Sequence, residues 1–155
     1  MLYFLKRRPD FLILGAQKAG TSSLEFFLSQ HPQIKCARTK EVGFFSRDQL
    51  FQSGPGWYAR QFPRRNWPGT LLFEATPEYL YYPFAAERIR EFDPRMKCLI
   101  LLRNPVNRAF SAWNMYRQFH SDPQIKAQTI REYLEGTKPE VLRPLLELLD
   151  RPQFP

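Results

Sequence analysis

FLIL at positions 11–14 is a short, unbroken apolar run. Such a run reads as a parallel strand covered on both faces. The period changes at Thr21. Leu24, Phe27 and Leu28 fall at i, i+3 and i+4, which predicts an amphipathic helix over 21–30. It stops before His31-Pro32, because a residue preceding proline disfavours the helical region. Residues 34–36 fit a brief strand. Residues 53–69 are rich in Gly, Pro and Trp and read as loop, with a short helical turn near Trp57–Phe62. TLLFEAT (70–76) is a second buried strand. Pro83 opens a helix over 83–92, with Ala86, Ile89 and Phe92 on its core face. KCLILLR (97–103) is the third strand and the clearest candidate for a central one. Asn104-Pro105 starts a helix to about Phe119, with Val106, Ala109, Phe110 and Trp113 facing the core. Weaker helices follow near 127–135 and 139–149, and Pro144 kinks the last.

Strands alternating with helices at these lengths predict an α/β domain with a mostly parallel central sheet flanked by helices. Ligands in such sheets bind at the carboxyl ends of the strands. That rule sets Gly15–Ser23, Glu74–Thr76 and Arg103 along one edge.

Composition narrows the class. The 155 residues, 43% apolar and 25% charged, suit one globular domain. Fourteen Phe and three Trp argue against disorder. No apolar run reaches about 18 residues, so no integral membrane segment is expected. The start, MLYFLKRRPD, has the wrong order and length for a secretory signal, so a cytoplasmic location is expected. Cys36 and Cys98 have neither metal nor redox spacing, and Cys98, inside an apolar run, is predicted to be a buried thiol.

The net charge of +8 is uneven: residues 1–65 hold 11 Lys/Arg against 4 Asp/Glu. The excess surrounds GAQKAGTSS (15–23), where a strand gives way to a helix. A glycine-bounded loop with one lysine, followed by hydroxyls opening a helix, is an anion cradle. Gly15 and Gly20 have the spacing of a nucleotide loop, but Thr21 stands where that loop carries lysine. The lysine lies inside the loop, at Lys18. A triphosphate-hydrolysing enzyme needs it after the second glycine and needs a held Mg²⁺. Glu74 is the one candidate for holding a metal there. A single phosphate-sulfate group needs no metal: Lys18 and the hydroxyls of Thr21, Ser22 and Ser23 suffice. The fold expected is thus three-layered and P-loop-like. Arg103 and Ser111, eight positions apart across the third strand and its helix, offer a second anion site.

Together, FLILGAQKAGTSSLEFFLSQHPQI, KEVGFF, FEATPEYL and LILLRNPVNRAFSAW resemble the sulfotransferase family, in particular bacterial enzymes akin to the heparan sulfate sulfotransferases. The resemblance runs from about Phe11 to Tyr116, and four motifs in order are more specific than any one. It implies 3′-phosphoadenosine-5′-phosphosulfate (PAPS) as donor, with no metal. It assigns Gly15, Gln17, Lys18, Ala19, Gly20, Thr21, Ser22 and Ser23 to the 5′-phosphosulfate, and Arg103 and Ser111 to the 3′-phosphate. Glu41, in KEVGFF, matches the glutamate that deprotonates an acceptor hydroxyl, so Lys18 and Glu41 are the implied catalytic pair. His31 and His120 are read as structural or surface residues. The heparan-type enzymes usually carry lysine where this chain has Ala75, so their carbohydrate specificity does not carry over. Glu74 and Tyr79 are left to line the acceptor cleft, and Thr76-Pro77 to shape the strand-end turn.

The family's domain continues beyond these motifs, so the chain is expected to be a truncated, C-terminally incomplete sulfotransferase domain. The expected divisions are a lead-in over 1–9, a donor-binding core over 10–120 and a helical segment over 121–155. The acceptor is a carbohydrate, lipid or small metabolite hydroxyl. Two other readings stay open: a P-loop kinase or NTPase, and a non-catalytic basic module for polyanions. Nucleic acid is not expected as a partner, since aromatics and bases form no recognised binding pattern.

Overall fold

The structure, a computed structural model, describes residues 7–119, with side chains as far as Met115. It divides after Leu102 into two compact units.

The first unit is built on four parallel strands. They are β1 (Phe11–Gly15), β2 (Ile34–Cys36), β3 (Leu71–Ala75) and β4 (Lys97–Ile100), in the order β2-β3-β1-β4. Helices α1 (Thr21–Ser29), α2 (Asp48–Gln52), α3 (Gly54–Arg60) and α4 (Pro83–Phe92) join them, with a 3₁₀ turn at Pro77–Leu80.

Strand alternation sorts the core into two layers. Leu12 and Leu72 face Phe44, Phe45, Tyr58, Phe62, Tyr79, Ala85 and Ile89 on one side. Ile13, Phe73 and Ala75 face Leu24, Leu28 and Leu101 on the other. The sheet is therefore covered on both faces, giving the three-layer α/β arrangement expected. The aromatic side is dense: Phe44 stacks on Tyr58 with ring centroids 4.3 Å apart.

Several local expectations need correction. In α1, Leu24 and Leu28 are half-buried, but Phe27 is 68% exposed. Phe27 lies about 60° from Leu24, on the side away from Leu28, and so falls off the covered stripe. In α4, Ala85 and Ile89 are buried while Ala86 is exposed. Within 53–69, read as loop with a helical turn near Trp57–Phe62, Gly54–Arg60 forms a helix, and Asp48–Gln52 adds a short one before it. Pro55 sits in the first turn of α3, where its missing N–H costs nothing. Among the described residues the run 97–103 lies at the edge of the sheet. β4 ends at Ile100 and pairs only with β1 among the described residues, and all four of its residues are exposed. Cys98 is accordingly exposed, not buried. An apolar run looks the same at an edge as at the centre.

The second unit opens at Arg103. Its described part is α5 (Pro105–Phe119), capped by Asn104, whose Oδ1 accepts the N–H groups of Val106 (3.0 Å) and Asn107 (3.2 Å). Val106 and Ala109 are buried, Trp113 is half-buried and Phe110 is exposed. His120 and the helices expected near 127–135 and 139–149 lie outside the described residues. Among those described, no helix is long and apolar enough to cross a membrane.

Candidate functional site

β1 delivers the chain to the carboxyl edge of the sheet, and the loop 15–20 turns it into α1. Gly15 has φ +145°, and a Cβ there would stand 2.8 Å from the Pro77 carbonyl oxygen and 3.0 Å from Leu80 Cβ. Only glycine allows that approach. A tight turn follows, with Ala19 N–H donating to Ala16 O at 3.0 Å. Gly20, at φ +104°, forms the helix cap without a side chain to occupy the first amides. The first turn of α1 holds no acidic residue. Its N–H groups and the positive end of the helix dipole are thus directed at the loop, the arrangement an anion requires. Lys18 is half-buried, Thr21 buried, and Gln17, Ser22 and Ser23 exposed. His31 is exposed at the far end of α1, where its Nδ1 accepts the Gln33 N–H at 3.2 Å, a local turn contact in line with its structural reading.

A second loop, 41–45, meets the same edge. Thr76, just past β3, joins the two. Its N–H donates to Ile13 O of β1 at 3.1 Å, and its Oγ1 accepts the Gly43 N–H at 3.3 Å. Phe44 and Phe45 anchor this loop in the core, and Arg88 donates to Phe45 O at 3.2 Å. Glu41 stands exposed at its start. Ser46 and Arg47, at its end, both bind Glu78, at 2.5 Å and 3.4 Å.

Two non-glycine residues among those described have left-handed backbone: Lys18 at φ +65° and Glu41 at φ +52°. These are the two residues to which the family resemblance assigns catalytic roles.

Glu74 and Tyr79 do not line an open cleft. Their exposures are 1% and 3%. Glu74 Oε1 accepts the hydroxyls of Tyr58 (2.5 Å) and Tyr79 (2.9 Å), and Oε2 accepts Thr76 Oγ1 (2.7 Å). Val42 N–H donates to the same carboxylate. Burial pushes the Glu74 carboxyl above its usual range, and these donors pull it back. Burial also raises Tyr58 and Tyr79, reinforced by the charge of Glu74. Sequence reasoning missed this cluster, because Val42 and Tyr58 come from stretches far from Glu74, Thr76 and Tyr79. A glutamate inside an otherwise apolar strand was the available signal.

Arg103 and Ser111 belong to the second unit, Arg103 exposed and Ser111 half-buried within α5. A cavity of about 790 Å³ lined by Arg7, Arg64, Arg65 and Trp67 lies at the opposite, amino end of β1 and β3. Arg65 there is spent on Asp10 (2.8 Å) and on the carbonyls of Thr70 and Arg8.

The family model described as "Sulfotransferase domain" matches residues 8–142. The chain is 33% identical over 144 residues to the bifunctional heparan sulfate N-deacetylase/N-sulfotransferase 1 of Caenorhabditis briggsae, covering 87% of this chain and 16% of that one. It is 34% identical over 113 residues to the membrane-associated sulfotransferase kil1 of Dictyostelium discoideum, covering 72% and 24%. A crystal structure of a sulfotransferase from Alicyclobacillus acidocaldarius superposes with a TM-score of 0.67 at 35% identity, over 88% of this chain and 59% of that chain. The chain thus spans a quarter or less of the length of these two curated relatives.

Proposed function

Since the chain belongs to the sulfotransferase family, we propose that it transfers a sulfuryl group from PAPS to an acceptor hydroxyl or amine. One observation carries the residue assignment. Among the described residues, the two non-glycine residues with left-handed backbone are Lys18 and Glu41, in the two loops at the carboxyl edge. Such backbone costs about 1–3 kcal/mol and collects at functional sites.

The loop suits a sulfated phosphate. Gly15 lets the chain approach the 3₁₀ turn, and Gly20 leaves the α1 amides uncapped. Gln17, Ala19, Thr21, Ser22 and Ser23 complete this 5′-phosphosulfate site in our reading, and Arg103 and Ser111 take the 3′-phosphate. The donor supplies an activated sulfuryl group. Lys18 holds a fixed positive charge where negative charge grows on the departing phosphate, and so favours the transition state over the ground state. Glu41 accepts the proton that the acceptor loses. Saccharides are the first acceptor class to test, given the heparan sulfate enzymes among the relatives.

The kinase or NTPase reading loses its metal-holding residue. Glu74, its one candidate, is enclosed by four donors. Thermal denaturation with 3′,5′-phosphoadenosine or with Mg·ATP separates the two. A true ligand at about 100 times its Kd stabilises by about 2.7 kcal/mol. We expect that shift from 3′,5′-phosphoadenosine alone. A shift with Mg·ATP alone would overturn the reading.

A further inference from the structure

Glu74 has no place in donor binding or proton transfer, yet it is the most deeply buried carboxylate described, at 1% exposure. Burying a charge is costly unless it is fully hydrogen-bonded. We propose that Glu74 is a positioning residue that fixes the loop 42–45, and through it Glu41, by orienting two buried hydroxyls. This rests on the reading of Glu41 as the base.

Each hydroxyl has a single proton. Thr76 spends its proton on Glu74 Oε2 and Tyr79 spends its own on Oε1. Their oxygens are then left as acceptors. Thr76 Oγ1 accepts the Gly43 N–H at 3.3 Å, and Tyr79 Oη accepts the Phe45 N–H at 3.4 Å. Val42 N–H reaches the carboxylate directly. Three amides of the segment after Glu41 are therefore tied to one buried anion. Tyr58 supplies the remaining donor and connects the cluster to the aromatic core.

A glutamine at position 74 keeps the shape and breaks the logic. Its NH₂ must face hydroxyls that were donating, Tyr58 and Tyr79 on one side or Thr76 on the other. At least one hydroxyl then turns its proton away, and its oxygen must accept from the glutamine NH₂ as well as from its loop amide, which weakens its hold on that amide. The Glu41 carboxylate keeps its chemistry and loses its aim. Misplacement by about 1 Å can cost about 100-fold in rate.

The test uses Glu74→Gln, Glu41→Gln and their double variant in the full chain. Glu74→Gln should lower kcat by about 10- to 100-fold with donor KM within about twofold, the pattern of a group acting in the transition state only. Amide exchange should quicken over 42–45 and stay unchanged in α1. In the Glu41→Gln background, Glu74→Gln should cost no further activity, since the aimed group is gone. A purely structural role would lower both backgrounds alike. Unchanged kcat together with unchanged exchange over 42–45 would overturn the inference while leaving the base reading intact. Near-normal rate in Glu41→Gln would overturn the base reading, whatever the exchange shows. Should Glu74→Gln fail to fold, Thr76→Val and Tyr79→Phe each remove one arm. Folded proteins with normal kcat in both would equally refute the inference.

Discussion

Replacing Gly15 by alanine tests the close approach between the first loop and the 3₁₀ turn. Two penalties add. The backbone at φ +145° is a region that side chains avoid, at a cost of about 1–3 kcal/mol. The new Cβ also meets the Pro77 carbonyl oxygen at 2.8 Å and Leu80 Cβ at 3.0 Å. Leu80 is 41% exposed and can yield, but Pro77 is buried and its carbonyl moves only with the backbone. Overpacking of this kind costs about 1–3 kcal/mol. The sum, about 2–6 kcal/mol, is a large part of the total stability of an ordinary domain. Gly20→Ala is the control. Its φ is +104°, but a Cβ there meets nothing within 4 Å. It should cost only the backbone part, about 1–2 kcal/mol. Urea denaturation followed by far-UV circular dichroism reads both. Equal losses in the two variants, or no loss in Gly15→Ala, would refute the packing argument.

Other expectations follow from the same geometry. Lys18→Ala should lower kcat by about 100- to 1,000-fold in a sulfate-transfer assay while the melting temperature holds, and near-normal turnover removes Lys18 from the mechanism. Asn104→Ala should destabilise α5 by about 0.5–2 kcal/mol in urea titration, because two amides lose their acceptor; an unchanged midpoint contradicts the cap. Stability should also depend on pH through Glu74. Its folded carboxyl is raised, so the folded chain binds that proton more tightly than the unfolded chain. Its contribution is greatest at low pH and falls as pH rises from about 4.3, the ordinary glutamate value. The wild type should therefore lose stability relative to Glu74→Gln across that rise, as read by denaturation at a series of pH values, and parallel profiles would contradict it.

What the sequence made legible was local. The loop 15–23 could be read because its strand, its glycines and its helix start lie within a dozen residues, and Asn104-Pro105 marked α5 by the same kind of signal. Burial across elements was not legible. KCLILLR has a central strand's composition, but its place at the edge among the described residues depends on which strands pair beside β1. Phe27 fits the helical period and still misses the covered stripe. Glu74 looked like a cleft residue because an isolated glutamate at a strand end gives no sign of its neighbours. Tyr58, Thr76, Tyr79 and Val42 reach it only after the sheet and the loop 41–45 have come together. Glu41 was reachable only through the KEVGFF motif, and the left-handed backbone that marks it is a property of the folded loop.

The central claim is that the loop between β1 and α1 holds the phosphosulfate end of the donor. Titrating isotope-labelled protein with PAPS and following backbone amide resonances tests it most directly. The account predicts saturable shifts at Ala16–Ser23 that Mg·ATP does not reproduce. Saturable binding that leaves those amides unmoved would contradict it.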